Sequence, residues 1–408
     1  MGKSSFFTGQ PILTQLLSFI PRFLVKNAVR EFDSDRYVKH FGSYEHLVTM
    51  LFAVLNRCSS LREVVTGMQA CSARLQHLGL RSTPRRSTLA DANSRRTAAF
   101  FEQVYHELYK LHYGGIPDSL PKKGIEARLF IVDSTTITLF SDVLKGAGSY
   151  GHNGKKKGGV KAHICARALH DVAAFVVLSE AAKHDTFILD KLALPTGSIV
   201  VFDKGYRNYK QLLQWSRQDV SWVTRLSKGT VYEVVAEKPL SQAAEKGGIC
   251  ADELIVLGNP ATEGKTPLQQ ARLITYYDTE GERTFQFITN NQHMAPLTIC
   301  GIYRRRWQIE LLFKRIKSAF QLHCFMGDNE NAIYVQLWCT LIADLLLRIV
   351  KDRLRKVGAQ WSMSNITSLV RLHLTTYIDL MAFLRQPEKA LLGYEDPHHK
   401  QQLLLFST

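Results

Sequence analysis

From residue 10 to about 115, apolar residues recur every three or four positions, the spacing of helices that bury one face. Gln10–Phe23 and Tyr44–Leu55 follow it, and Ser60-Leu-Arg-Glu63 is a capping-box pattern that opens a helix through Ala70. A further helix is predicted from Ser87 through Tyr109. After the turn formers of residues 115–124 the period changes. Arg128-Leu-Phe-Ile-Val-Asp133-Ser-Thr-Thr-Ile-Thr-Leu is rich in β-branched residues and predicts a central strand. Val160–Leu169 and Ala173–Glu180 predict two more strands, joined around His170-Asp171. A short helix at Thr186–Leu192, a strand at Ser198–Phe202 and a helix at Tyr209–Arg217 follow. Residues 221–290 break into shorter strands: Trp222–Leu226, Val231–Val235, Glu253–Leu257, Leu273–Tyr277 and Thr284–Thr289. Helices then dominate to about Arg385.

This order predicts an α+β, multidomain chain. A helical N-terminal region covers 1–115, a mixed-sheet core begins at 116–220, and a β-rich insertion occupies 221–295. The second part of the core follows at 296–328, and a helical C-terminal region at 329–408. The most apolar stretch, Ala332–Val350, contains Gln336, Asp344 and Arg348, so it predicts a buried helix and no membrane span. Phe6–Phe23 is interrupted by Gln10, Pro11, Gln15, Pro21 and Arg22 and does not read as a signal peptide.

Charge changes the picture more than composition does. The 408 residues hold 52 Lys+Arg against 36 Asp+Glu, a net charge of +16, which points to a polyanionic partner. Two basic segments offer themselves. Arg81-Ser-Thr-Pro-Arg85-Arg86 joins two predicted helices, which resembles a helix-turn-helix reader; a helical bundle with a basic surface is the other reading. The loop Lys155-Lys156-Lys157 suits a DNA backbone or open solvent. Seven dispersed cysteines without ligand spacing read as reduced thiols of a cytosolic protein.

Candidate chemistry centres on Tyr303-Arg-Arg-Arg306-Trp-Gln-Ile-Glu310-Leu-Leu-Phe-Lys-Arg-Ile-Lys317. On one helix, Tyr303, Arg306, Glu310 and Lys317 fall within roughly 60° of circumference. Ile302, Ile309, Leu312, Phe313 and Ile316 form the adjoining apolar stripe. A solvated face has the same charge spacing, so the stripe gains meaning only from two distant residues. Asp133 interrupts an apolar strand, where a charge is costly unless paired or ligating. Asp203, in Asp-Lys-Gly205-Tyr206, follows a second strand. Two strand aspartates and a helix glutamate can converge on two divalent ions of hard oxygen preference, which suits Mg²⁺ and phosphoryl transfer. Each aspartate alone also reads as a strand-end cap. Lys161, His163, His184 and Asp185, near the strand ends around Asp133, read as surface or supporting residues or as DNA contacts, and Trp222 reads as a buried strand aromatic or as a DNA contact.

The pattern Tyr303-x2-Arg306-x3-Glu310-x6-Lys317 resembles the YREK signature of transposases of the insertion sequence four family, which are DDE enzymes with a ribonuclease H-like catalytic core. Phe-Ile-Val-Asp133-Ser-Thr and Asp203-Lys-Gly-Tyr resemble the segments of its first two aspartates. Phe287-Ile-Thr-Asn, Phe325-x-Gly, Gln336-Leu-Trp, Thr8-Gly-Gln-Pro and Ser87-Thr-Leu-Ala-Asp-Ala-Asn are similar as well.

The resemblance implies a cut-and-paste DNA transposase of a bacterial insertion sequence, with a helical N-terminal DNA-binding domain. Asp133, Asp203 and Glu310 would be catalytic and hold two Mg²⁺ ions, with Mn²⁺ as a substitute. Tyr303, Arg306 and Lys317 would grip the phosphates of the transposon end. Trp307 either holds a distorted terminal base or packs on Leu311. Arg85, Arg86 and Lys156 would add DNA contacts. The implied partners are transposon-end and target double-stranded DNA and a second copy in a synaptic homodimer, with no membrane. The implied location is the bacterial cytoplasm, at the nucleoid. The alternatives are a transposase-derived DNA-binding protein without catalysis and a ribonuclease H-like nuclease without strand transfer.

Overall fold

The structure, a computed structural model, describes residues 9–114, 124–138, 159–181, 183–206, 208–258, 267–320, 322 and 324–392. It divides into two compact units: Met1–His112 with Arg315–Thr408, and Tyr113–Lys314.

The first unit is helical. It begins with α1 (Ile12–Leu17), α2 (Arg22–Phe32), α3 (Ser43–Asn56), α4 (Leu61–Ala70), α5 (Arg86–Arg95) and α6 (Ala98–Tyr113). The helix expected over Gln10–Phe23 is two helices. Pro21 lacks the N–H that a continuing helix would use, and it stands instead at the N-cap of α2. The capping box forms as expected: Ser60 Oγ accepts the Glu63 N–H at 3.3 Å, while the Glu63 carboxylate accepts the N–H of Ser59, one residue earlier, at 2.7 Å. The helix expected from Ser87 to Tyr109 is also broken. Arg96 leaves the helical conformation (φ −76°, ψ 118°) and turns inward to donate to the Phe41 carbonyl at 2.8 Å. Asn331 then accepts the Ala98 N–H that starts α6, at 2.9 Å.

The second unit is built on a sheet. It runs α7 (Ile125–Arg128), β1 (Leu129–Thr138), β2 (Gly159–Arg167), β3 (Val172–Glu180), a 3₁₀ turn (Asp185–Lys191), β4 (Ile199–Phe202), α8 (Tyr209–Arg217) and β5 (Ser221–Arg225). Next come β6 (Tyr232–Glu237), α9 (Gln242–Lys246), β7 (Ile249–Leu257), β8 (Gln269–Asp278), β9 (Arg283–Thr289), α10 (Pro296–Arg304) and α11 (Trp307–Ala319). Among the described residues the strands form one sheet in the order β3-β2-β1-β4-β5-β9-β8-β7-β6. An antiparallel β1–β2–β3 meander followed by β4 and β5 parallel to β1 is the ribonuclease H-like arrangement expected. β5 pairs with β4 on one side and β9 on the other, so the later strands extend the same sheet.

β1 and β4 are central and buried on both faces, which explains their unbroken apolar runs. Phe130, Val132, Val200 and Phe202 pack with Ile188, Leu189, Trp215 and Trp222 in one core. α10 lies across β4, β5, β7 and β9 through Ile299, Cys300 and Ile302. This holds the segment with Tyr303 and Glu310 against the sheet.

The chain returns to the helical unit within α11 and continues through α12 (Glu330–Lys356), α13 (Met363–Leu372), α14 (Leu380–Arg385) and α15 (Pro387–Leu392). α12 is long and apolar enough to cross a membrane, but 94% of its most apolar window is buried inside the protein. Two of its buried polar residues, Asp344 and Gln336, are satisfied there. Asp344 takes Arg315 in a two-pronged pair at 2.9 and 3.0 Å, and Gln336 bonds both Cys324 and Met326 backbone.

Candidate active site

Parallel pairing of β1 with β4 sets Val132 opposite Phe202, so Asp133 and Asp203 follow at the same end of neighbouring strands. Asp133 is still within β1, opposite Ile164 of β2. Asp203 begins a turn in which its Oδ2 accepts the Gly205 N–H at 3.4 Å and its carbonyl accepts the Tyr206 N–H at 3.1 Å. Aspartate at the head of a tight turn is a local preference; the neighbouring strand is what brings it to Asp133.

The signature segment is not the single helix predicted. α10 ends at Arg304 and α11 starts at Trp307, with a turn at Arg305-Arg306. There the N–H groups of Arg306 and Gln308 bond carbonyls three residues back, at 3.0 Å each, which tightens the winding locally. Tyr303 therefore closes one helix, Arg306 occupies the turn, and Glu310 lies in the first turn of the next.

The turn aims the Arg306 guanidinium between two carboxylates. Its Nη1 donates to Asp133 Oδ2 at 2.9 Å and its Nη2 to Glu310 Oε1 at 2.7 Å. The Tyr303 hydroxyl donates to Asp203 Oδ1 at 3.3 Å, while its ring packs against Phe287 at 4.9 Å between centroids. Asp133, Asp203, Tyr303, Arg306 and Glu310 thus meet, from sequence positions up to 177 apart by number (310 − 133).

Burial pushes the Asp133 carboxyl up to about 6; the Ser134 N–H and Arg306 pull it down, while Asp203 and Glu310 push it further up. Tyr303 rises to about 12 through burial and the nearby Asp203 charge. For Arg306, burial opposes its charge, but the hydrogen bond to Glu310 and the surrounding anions outweigh this and raise it. The guanidinium and Asp133 are each only 16% exposed, and Glu310 35%.

The donor set is one of carboxylate oxygens, suited to hard divalent cations. Three carboxylates against one guanidinium leave a negative surplus that such a cation would balance. As they stand, no three His, Cys, Asp or Glu side chains among the described residues are spaced to hold an ion. Arg306 holds Asp133 Oδ2 and Glu310 Oε1, so an ion and this guanidinium compete for the same oxygens.

The sequence read Asp185 as a surface or supporting residue near the Asp133 strand, and the fold brings it to this site. Its Oδ1 accepts both the Ser134 hydroxyl at 2.6 Å and Lys161 Nζ at 3.1 Å. Alternation along β2 could have flagged Lys161, whose ammonium lies on an otherwise buried strand. Nothing local marks Asp185. His163 is wholly buried and bonded to Ser179 at 2.9 Å, and burial lowers it to about 4. His184 caps the 3₁₀ turn by accepting the Thr186 N–H.

Trp307 does not pack into the core: it is 58% exposed, and Leu311 is 52% exposed. It lines a cavity of about 420 Å³ together with Tyr303, Arg306, Arg225, Arg283 and Phe285. Trp222, in contrast, is fully buried and donates its indole N–H to Ser216 Oγ at 3.0 Å. Lys317 is seven residues beyond Glu310 on α11, in the helical unit, half-buried, with its ammonium lowered by that burial. Arg85 and Arg86 are exposed at the start of α5. The link from α4 to α5 is not the short turn expected: it spans 71–85 and contains a 3₁₀ turn at Ser72–Leu78. Lys156 lies outside the described residues.

A ribonuclease H-like sheet carrying carboxylates on two neighbouring strands and a facing helix defines a class of nucleic-acid phosphoryl-transfer proteins. The family described as transposase DDE domain matches residues 125–346, and a domain of unknown function (DUF4372) matches residues 8–81. The chain belongs to the DDE transposases of insertion sequences, of the insertion sequence four type. It is 30% identical over 305 residues to a Sinorhizobium fredii protein described as a transposase, y4zB, covering 75% of this chain and 82% of that one. It is 28% identical over 229 residues to a Geobacillus stearothermophilus protein described as the transposase of insertion sequence element IS5377, covering 56% and 58%. A solved piggyBac transposase synaptic complex with hairpin DNA aligns with a TM-score of 0.49 at 10% identity, covering 97% of this chain and 85% of that one. Membership in this family implies a dependence on divalent metal and a DNA partner.

Proposed function

We propose that this chain cuts the ends of its own insertion sequence and joins them to target DNA, with Asp133, Asp203 and Glu310 as the carboxylates that hold Mg²⁺. The observation that carries this reading is the Arg306 guanidinium shared between Asp133 and Glu310, with Tyr303 on Asp203. It joins the strand-borne and helix-borne acids into one cluster although they are far apart in sequence. Bound there, divalent ions would activate a water or 3′-hydroxyl and stabilise the leaving oxygen of an in-line displacement at phosphorus. Arg306 and Tyr303 have donors suited to phosphate, and a phosphate that drew them away would release carboxylate oxygens for metal.

Trp307, exposed and lining the cavity with Arg225, Arg283 and Arg306, would stack on a base at the DNA end. The helical region 1–115, with Arg85 and Arg86 exposed on α5, would supply end recognition, and Lys317 and Lys156 further backbone contacts. The net charge of +16 supports a DNA partner and work at the nucleoid. The working form would be a homodimer that pairs two ends, which light scattering of the complex with end DNA would test.

The deciding experiment compares the wild-type chain with Glu310→Gln on double-stranded DNA carrying the element's end, with Mg²⁺. Cleavage by the wild type and none by the variant is expected; equal cleavage overturns the assignment. Pre-cleaved ends offered a target plasmid then separate a transposase, which yields joined product, from a nuclease, which does not.

A further inference from the structure

A fourth carboxylate faces the two strand aspartates. Asp185 opens the 3₁₀ turn after β3, and its side chain is 34% exposed. Its Oδ1 is held by Ser134 Oγ at 2.6 Å and by Lys161 Nζ at 3.1 Å. Lys161, only 14% exposed, is fixed in turn by the Lys183 carbonyl at 2.9 Å. Ser134 directly follows Asp133 and gives its own N–H to Asp133 Oδ1 at 2.9 Å. On the other side, Oδ2 of Asp185 and Oδ2 of Asp203 flank Gly205, at 4.0 and 3.8 Å from where a side chain there would begin. Below them the Tyr206 hydroxyl is buried, and burial together with the charges of Asp133, Asp185 and Asp203 raises its pKa. Asp185 itself stays ionised: burial opposes its charge, but the hydrogen bonds from Ser134 and Lys161 hold it below the usual carboxylate range.

Asp133 and Asp203 repel each other, and side chains without further partners would turn apart. Resting on the reading that these two hold metal, we infer that Asp185 is a positioning residue for the pair. Through Ser134 it fixes the middle of β1, where Asp133 stands. Through Lys161 it adds a side-chain link to β2 beside the β1–β2 pairing. Its Oδ2 stands beside the Asp203 turn at Gly205. Such supporting partners typically change affinity or rate by about tenfold to a hundredfold when removed.

The test uses the full chain, DNA carrying the element's end, and Mn²⁺. Cleavage at saturating DNA, Mn²⁺ binding by electron paramagnetic resonance without DNA, end binding by fluorescence anisotropy in Ca²⁺, and thermal melting are measured together. Asp185→Ala is expected to lower kcat about tenfold to a hundredfold and to weaken Mn²⁺ binding several-fold, with end binding within about twofold of wild type. Asp185→Asn is expected to recover most of both, because its amide oxygen still accepts from Ser134 and Lys161. Ser134→Ala is expected to move both readouts as the alanine variant does, by less. Wild-type kcat and Mn²⁺ binding in Asp185→Ala overturn the inference. So does an Asp185→Asn variant as impaired as Asp185→Ala, which makes Asp185 a ligand or charged contact. Where Asp185→Ala melts below the assay temperature, wild-type Mn²⁺ binding in Ser134→Ala overturns it. Asp133→Asn serves as control: if that variant cleaves normally, the metal-site reading fails and not this inference alone.

Discussion

The sheet unit holds two inward-turned arginines among carboxylates, and they are arranged in opposite ways. Arg272 meets Asp252 in a two-pronged pair at 2.6 Å for both contacts, with the two side chains 2% and 4% exposed. Its remaining nitrogen donates to the Met294 carbonyl at 2.6 Å. One positive charge meets one negative charge and the donors are used, so the pair is closed. Arg306 is divided between Asp133 and Glu310, and its Nε is buried without an acceptor among the described residues. Around it stand more anions than it can neutralise. A saturated pair fastens β8 to the segment before α10. A divided one leaves oxygen atoms and negative charge that a further cation can complete. Buried pairs of the first kind matter chiefly when one partner is removed, because the other is then stranded without water or counter-charge.

The largest separation between the two is expected in catalysis. Asp133→Asn, Asp203→Asn and Glu310→Gln should each lower end cleavage by at least about a thousandfold, whereas Asp252→Asn should leave the rate per folded molecule near wild type. Cleavage assays normalised to folded protein by circular dichroism check this. Stability should show the reverse order. Arg272→Met strands Asp252 and should cost about 3–5 kcal/mol, roughly 10 °C in melting temperature for a unit of this size, while Arg306→Met should cost far less. Calorimetry of the two variants decides it.

A pH titration should report on the divided cluster through Asp133. The Asp133 carboxyl is raised to about 6, so it carries a proton below that pH, and a metal must displace it. Mn²⁺ affinity of the DNA-free protein should therefore fall about tenfold per unit as pH drops below about 6, and level off above it as far as this group is concerned. The same raised value works against the fold as pH rises. Between about 4 and about 6 the folded chain holds a proton at Asp133 that the unfolded chain has lost, so this group's contribution to stability declines across that window, while the buried His163, lowered to about 4, contributes the opposite slope. Asp133→Asn should remove the Asp133 share of both dependences, read as the difference between the variant's and the wild type's pH profiles. The smallest expected effect lies at the rim: Trp307→Ala should weaken binding of the cut end about fivefold, measured by anisotropy, with little change in melting temperature.

Much of this molecule was legible from local pattern. Helix α8 runs over Tyr209–Arg217 as its periodicity predicts, because Asn208 caps it with a side-chain bond to the Gln211 N–H at 3.1 Å. The strand around Asp133 is marked by its β-branched run, and Trp222 by its place in another. The break within the signature segment was not legible. Arg305 and Arg306 both favour helices, and no proline or glycine announces a turn. It is stabilised by distant partners: Tyr303 held by Asp203 and Phe287, and Arg306 held by Asp133 and Glu310. The break of the expected Ser87–Tyr109 helix at Arg96 was hidden for a related reason. A second arginine in an Arg-Arg pair reads as basic surface, yet its guanidinium is turned inward to backbone carbonyls.

Period, capping and composition act within a few residues. From them alone follow the helical and sheet-forming regions, the basic character, and the carboxylates and cations worth suspecting. Which of these touch depends on strand pairing between segments as far apart as β1 and β4, and on how α10 lies across the sheet. Tertiary structure thereby placed Asp133 beside Asp203, split the signature helix to swing Arg306 between two acids, exposed Trp307, and brought Asp185 to the cluster. Contacts across such sequence distances leave no periodic trace, because each residue's local preferences are satisfied equally well whether or not its distant partner is there.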